Sequence, residues 1–290
     1  MKKNLLILGV NGMLGHNLFR YFYYRNKFNT YGLLRDREKI LKDKFLYLNE
    51  NIQEIESEEI EKINEKLSKW NINVVINCIG IVKQSPNANY SEKSIKINSL
   101  FPHELNSLCS KLNIRLIHIS TDCIFSGKKG FYDEEDYPDS LDLYGRTKFL
   151  GELSNSNAIT LRTSFIGKEL STNYGLLNWF LSQEGKIKGF SKAIYSGVPT
   201  CELGRIIENY VLPNKCLKGL YNVSADPINK FTLLNIFKEV YKKNIIILKD
   251  ETYKIDRSLN SKKFRKATGY KPLEWFKAIE KMKEFDKLKL

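Results

Sequence analysis

Histidine and proline are scarce in this 290-residue chain, with 3 and 7 copies, and cysteine occurs only five times. Cys78, Cys109, Cys123, Cys201 and Cys216 are odd in number, widely spaced and without a C-x-x-C pair, which excludes a disulfide framework or a cysteine zinc site and predicts free thiols. No group of His, Cys and carboxylates has ligand spacing, so no metal is expected. Long apolar runs are missing too: the longest near the start, 5–8, falls far short of the ~7 to 15 residues of a signal-peptide core or the ~20 of a membrane span. A cytoplasmic protein with no membrane partner follows. Low-complexity tracts and internal periods are absent, which rules out linkers, collagen and repeat arrays.

What the chain does have is positive charge. Lys and Arg number 47 against 33 Asp and Glu, for a formal net charge of +14. Only ten of the 47 are Arg, and the Lys residues are spread among Asp, Glu and Asn on what read as solvated helix faces, as in 50–69. A Lys-rich surface is therefore the first reading, an anionic small-molecule partner the second and a nucleic acid the third, and no nucleic-acid partner is expected. With 42% hydrophobic residues the chain has enough apolar mass for one large domain or two small ones.

Apolar stretches of strand length alternate with helical ones through the first half, the mark of βαβ units around a parallel sheet. Strands are expected at 5–8, 30–34, 45–48, 74–79, 115–120 and 159–162. Helices are expected at 13–25, at 53–70 with Ile55, Ile60, Ile63 and Leu67 on one stripe, at 91–112, from about 143, and at 273–285. After Arg162 the alternation decays into Gly-rich turns and shorter helices. The chain thus reads as an α/β protein, with a doubly wound domain over 1–162 and a smaller cap-like domain over 163–290 that can return strands to the main sheet.

Gly9, Gly12 and Gly15 form G-x-x-G-x-x-G directly after the first strand and at the start of the first helix. In that context small residues permit a tight turn and let the backbone approach a pyrophosphate at a helix N-terminus. With Asn11, Met13 and Leu14 they make up the expected cofactor loop. At the end of the second strand, where an NAD-selective site carries an acid for the ribose 2′-hydroxyl, the chain has Arg35. A guanidinium there suits a 2′-phosphate, with Arg37 as support, which favours NADPH and leaves NADH as the other candidate; Asp36, one residue on, would reverse the preference.

Tyr144 and Lys148 lie four apart, so on a helix they share a face one turn apart, where an ammonium favours a phenolate. Thr121 ends the fifth strand, at the edge of a parallel sheet where ligands sit, and its hydroxyl would hydrogen-bond the same substrate oxygen.

Glycine loop, strand-end Thr and Tyr-Lys pair occur in the order and spacing of the extended short-chain dehydrogenase/reductases, which the chain resembles over nearly its whole length. Within them it is most similar to the dTDP-4-dehydrorhamnose reductases and related nucleotide-sugar 4-ketoreductases. The resemblance is carried by S-T-D-C-I-F-S-G from Ser120, Y-D-E-E-D from Tyr132, Y-G-R-T-K from Tyr144 with Gly151 and Glu152, L-R-T-S from Leu161, and G-V-P-T from Gly197. It implies a Rossmann-type domain with a C-terminal substrate domain, and reduction of the C4 ketone of a sugar nucleotide by NADPH, in deoxysugar and surface-polysaccharide synthesis. Tyr144 is then the acid, Thr121 a hydrogen-bond donor, and Lys148 the residue that holds the nicotinamide ribose and tunes Tyr144. Asn77, Cys78, Ile79 and Gly80 match the turn after the fourth strand, Asn98 a buried Asn that helps to fix the lysine, and Asn51 with Ile52 the position beside the adenine. Lys83, Asp122, Cys123, Phe165 and Thr200 are the expected substrate contacts, and a homodimer is the one protein assembly considered.

Relatives with other chemistry remain open at this stage. A dehydratase would carry Glu where Cys123 stands. An epimerase-reductase would use Cys123 as a base with a histidine partner beyond the sixth strand, yet His16, His103 and His118 all precede Arg162. A C4 epimerase would keep the same Thr, Tyr and Lys, and a non-catalytic NADP(H)-sensing subunit would keep the fold. Phe165, where dehydrorhamnose reductases tend to have Trp, and the departing stretch Ile81, Val82, Lys83 and Gln84 make rhamnose one candidate sugar among several.

Overall fold

A computed structural model describes residues 1–55, 59–83, 90–154 and 157–288; Gln84 lies outside them. The first half runs β1 (Asn4–Leu8), α1 (Met13–Arg25), β2 (Asn29–Leu34), α2 (Lys44–Leu48), β3 (Ile52–Glu54), α3 (Ile60–Lys69), β4 (Val74–Asn77), α4 (Ser91–Ile95), α5 (Phe101–Lys111), β5 (Arg115–Thr121), α6 (Leu143–Leu150) and β6 (Ile159–Thr163). It continues with β7 (Phe165–Ile166), α7 (Leu176–Ser182), β8 (Lys186–Tyr195), β9 (Val198–Pro199), α8 (Thr200–Ile206), β10 (Gly219–Asn222), β11 (Ile228–Asn229), α9 (Lys230–Tyr241), β12 (Ile246–Asp256), α10 (Lys262–Thr268) and α11 (Trp275–Asp286).

Seven strands form one sheet in the order β10-β6-β5-β4-β1-β2-β3, and every pairing in it is parallel. The winding reverses between β1 and β4, so the loops leaving their carboxyl ends diverge and open a crevice there. The sheet is covered on both faces, as its continuous apolar strands require. One face packs Leu5, Ile7, Ile117 and Leu161 with Phe19, Phe22, Leu203 and Phe237; the other packs Leu6, Leu8, Val75 and Leu116 with Ile63, Leu67, Phe101 and Leu105.

The chain departs from the sequence reading at 45–48, which is helix α2 rather than a strand. Asp43 caps it, its carboxylate accepting the Leu46 N–H at 3.2 Å, and that capping overrides the β-like F-L-Y-L composition. The third strand instead begins at Ile52, and the helix expected from residue 53 begins at Ile60. Between α4 and α5 a π-turn, Lys96–Leu100, joins the two helices into one. In the second half two unexpected strands, β8 and β12, pair in parallel with β11 on the other edge of β8, while β10 returns to the main sheet beside β6.

Under the carboxyl end of β5, Arg162 and Glu152 form a buried ion pair. The Glu152 carboxylate accepts Arg162 Nη2 at 2.7 Å and Nε at 3.0 Å, and takes the Ser120 hydroxyl at 2.6 Å. The Arg162 guanidinium also lies over the Phe125 ring, 5.1 Å from its centre. Strands β5 and β6, helix α6 and the loop after Thr121 are thereby tied to one point.

Candidate active site

The crevice at the switch point is lined by Gly9, Asn11, Gly12, Arg35, Ile55, Cys78, Ile79 and Gly80, among others. Gly9 adopts φ +85°, the left-handed region that favours glycine, and a Cβ there would stand 3.2 Å from the Cys78 carbonyl carbon. Gly12 caps α1 without a side-chain hydrogen bond, and the first turn of the helix carries no acid. The N–H groups of that turn are therefore free for an anion, and nothing there repels one. Met13 and Leu14 begin the helix, with Leu14 buried, and Gly15 packs against the Gly9 carbonyl.

Arg35 enters this crevice directly after β2. Its neighbours are otherwise engaged. Asp36 accepts the Glu38 N–H at 3.1 Å and pairs with Lys39 at 3.4 Å. Arg37 donates to the Tyr47 carbonyl at 2.5 Å and to that of Ile52, so it is spent on the α2 to β3 turn and gives Arg35 no support. Because β3 starts at Ile52, the wall position expected at Asn51 and Ile52 also shifts. Ile52 is buried in the core and Asn51 precedes the strand at its far end, while Ile55 and Ile63 line the crevice in their place. On the opposite wall, Asn98 holds Ile81 at both ends, accepting its N–H at 2.9 Å and donating to its carbonyl at 3.0 Å. It also donates to the Thr147 hydroxyl of α6 at 3.2 Å.

Thr121, Tyr144 and Lys148 gather beside this wall. Helix α6 is capped by Asp142, which accepts the Gly145 N–H at 2.8 Å. Gly145 permits the close seat of the helix on the turn after β5: a Cβ there would lie 2.4 Å from the Cys123 carbonyl oxygen. Burial, with Cys123 and Asp122 as neighbours, pushes the half-buried Tyr144 phenol above its ordinary value, against the opposing pull of the Thr121 hydroxyl. The helical spacing predicts an ammonium that favours the phenolate, yet burial is the largest influence on this phenol, so it keeps its proton. Lys148 itself is buried and donates to the Ile119 carbonyl at 2.9 Å. Burial lowers it to about 8, with Glu152 and Cys78 opposing.

The expected substrate contacts divide. Thr121 Oγ1 donates to Asp122 at 3.3 Å and accepts the Cys123 N–H at 3.1 Å. Burial raises the Cys123 thiol to about 11, which leaves it protonated at neutral pH. Lys83 pairs with Asp142 at 2.5 Å, with its ammonium 6.0 Å from the Tyr144 ring centre. Phe165 is half-buried on β7. Thr200 does not fit the expected role: it is 1% exposed at the start of α8 and packs where a Cβ on Gly167 would meet its hydroxyl at 2.6 Å.

Sequence reasoning missed three residues that the second half of the fold brings to this place. Arg257, just after β12, donates to the Phe125 carbonyl at 2.8 Å and reaches the Cys123 sulfur at 3.7 Å. Lys230 opens α9, and burial lowers its ammonium while Asp122 and Cys123 pull it back up. Tyr195 ends β8 with its phenol raised by burial and by Asp122. None belongs to a local motif, and each lies at least 50 residues from Tyr144 in sequence; only the return of the chain to the sheet edge assembles them.

Comparison with known proteins places this geometry in a family. Over 120 residues the chain is 32% identical to a probable low-salt glycan biosynthesis reductase of Haloferax volcanii, an alignment that spans 40% of each protein. It is 22% identical over 306 residues to a dTDP-4-dehydrorhamnose reductase of Aggregatibacter actinomycetemcomitans, covering 97% of this chain and 98% of that one. The crystal structure of a Bacillus anthracis dTDP-4-dehydrorhamnose reductase in complex with NADP superposes with a TM-score of 0.78 at 19% identity, over 98% of this chain and 99% of the other, a likeness of fold. Residues 2–186 match the family described as the RmlD substrate binding domain, and the chain belongs to that family.

Proposed function

We propose that the protein is an NADPH-dependent oxidoreductase that reduces the C4 ketone of a nucleotide-linked 4-keto-6-deoxy sugar. One observation carries this reading. A protonated phenol and a strand-end hydroxyl stand together beside a glycine-turn crevice, at the switch point of a parallel sheet.

The residues present fit a dinucleotide phosphate. The uncapped first turn of α1 and the positive-φ Gly9 give the pyrophosphate backbone N–H groups. Arg35 offers the crevice a cation for a 2′-phosphate, while Asp36 is held on its own turn. When bound, the reduced nicotinamide supplies the hydride. Tyr144 gives its phenolic proton to the ketone oxygen, and the Thr121 hydroxyl donates a hydrogen bond to it. Lys148 holds the cofactor ribose and, as an ammonium, supports the phenolate left after proton transfer. Lys230 and Arg257 place positive charge beside the substrate end of the site, which suits the diphosphate of a sugar nucleotide.

The protonated Cys123 thiol is poorly suited to abstract a proton alpha to a ketone, so reduction without epimerisation is favoured. The division into a dinucleotide half, 1–162, and a substrate half, 163–290, belongs to the same proposal, with β10 returning to the first. The five thiols are unpaired, which suits the reducing cytoplasm; among the described residues no helix is long and apolar enough to cross a membrane. The reading is tested by following NADPH oxidation against a panel of 4-keto-6-deoxy sugar nucleotides, with product stereochemistry assigned by NMR. Turnover on at least one supports it. NADPH binding without turnover on any member would favour a sensing role instead.

A further inference from the structure

Behind the wall of the crevice lies an imidazole that the mechanism does not use. His118 on β5 is fully buried and stands opposite Asn77 of β4 in the parallel register. Its Nδ1 lies 3.1 Å from the Asn77 amide nitrogen. The other end of that amide fixes its orientation, because Asn77 Oδ1 accepts the Ile79 N–H at 3.0 Å and only the oxygen can do so. The nitrogen must then face His118, and since it has only hydrogens to offer, His118 Nδ1 presents a lone pair. The imidazole is neutral with its proton on Nε2. Burial and the nearby Lys148 charge hold it well below its ordinary value, consistent with that state.

We propose that His118 is a positioning residue for the dinucleotide. By accepting from Asn77 it keeps the amide oxygen on the Ile79 N–H, and so fixes the loop of Cys78, Ile79, Gly80 and Ile81 that forms one wall of the crevice. The inference rests on the reductase reading and adds a residue to it. The loop is held from two sides, at Ile79 by the Asn77 and His118 pair and at Ile81 by Asn98. It also packs against the backbone of Gly9, where a Cβ would stand 3.2 Å from Cys78. Without an acceptor at His118, the Asn77 amide keeps only the Ile79 N–H as an anchor, with its own N–H unmet, and holds the loop less firmly. The wall and the glycine turn seated on it then lose their common register.

His118→Leu removes the acceptor, whereas His118→Asn sets an amide oxygen the same number of bonds from the backbone as Nδ1. NADPH affinity is read by nucleotide fluorescence, with kcat at saturating NADPH and thermal midpoints measured alongside. For His118→Leu the Kd and KM for NADPH should rise about tenfold, the cost of ordering on binding a loop that has lost one of its two anchors. Its kcat at saturation should stay within about threefold, and His118→Asn should stay within about threefold of wild type throughout. Its thermal midpoint should change little, because Leu also removes Nε2–H, a buried donor without a partner. If His118→Leu does not fold, His118→Gln serves in its place, since its amide reaches one bond too far to replace Nδ1. Equal Kd values for the Leu or Gln variant and the Asn variant would overturn the inference, as would affinity unchanged from wild type. A wild-type chain that binds no dinucleotide would overturn the reductase reading with it.

Discussion

Replacing Arg35 by Ala should change cofactor preference without touching the chemistry. The guanidinium follows β2 directly, is half-buried in the crevice, and has no hydrogen bond or ion pair among the described residues. A cation so placed has its donors free for a phosphate. One charge-assisted contact to a 2′-phosphate contributes about 1.5–3 kcal/mol. At about 1.4 kcal/mol per factor of ten, its loss should lower kcat/KM for NADPH roughly 10- to 100-fold. NADH has no 2′-phosphate, so its kcat/KM should move by less than about threefold. Asp36→Ala supplies the control: its carboxylate is turned to the Glu38 N–H and Lys39, and its loss should leave the NADPH to NADH ratio unchanged. The assay is initial-rate oxidation of each nucleotide at fixed keto-sugar. Equal losses for both cofactors in Arg35→Ala, or a ratio governed by Asp36, would refute the reasoning.

Three further outcomes follow from the geometry. Glu152→Ala leaves the Arg162 guanidinium, 1% exposed, without its carboxylate, and should cost about 3–5 kcal/mol in denaturant unfolding; a loss under about 1 kcal/mol would show that the pair does not hold the β5, β6 and α6 junction. Because burial lowers Lys148 to about 8, its ammonium is present below that pH and lost above it. The rate should therefore fall on the alkaline side near pH 8, whereas a profile flat to pH 10 would remove Lys148 from the role. Lys230→Met should raise KM for the sugar nucleotide about tenfold and leave the Kd for NADPH unchanged, measured by titration of each ligand; a change in cofactor affinity instead would place Lys230 at the wrong end of the site.

Much of the first half was legible in the chain because its elements are fixed locally. The apolar run of β1, the glycine turn and the 13-residue α1 follow one another with no tertiary choice to make, and the structure has them where the pattern put them. The stretch 45–48 reads as a strand because four large side chains carry no period, and a single capping Asp decides it for a helix. That error propagated: with the third strand set seven residues early, Asn51 and Ile52 stood in for the crevice wall that Ile55 and Ile63 supply. Strands β8 and β12 escaped notice for a different reason. They form a partly exposed sheet in which Ile246, Leu248 and Tyr253 keep about half their surface in solvent, so their faces are not cleanly apolar. Arg257, Lys230 and Tyr195 could not be found without that sheet, since their meeting with Cys123 and Asp122 depends on contacts distant in sequence. The influence of burial on Tyr144 was likewise hidden, because spacing showed an ammonium one turn away and not how dry the phenol is.

The central claim is that Tyr144 delivers the proton to the reduced carbonyl oxygen, and Tyr144→Phe tests it most directly. With a keto-sugar that the wild type turns over, the variant should lose about 100- to 10,000-fold in kcat while binding NADPH within about threefold of wild type. Near-normal turnover of Tyr144→Phe, with its fold and NADPH affinity intact, would contradict the account.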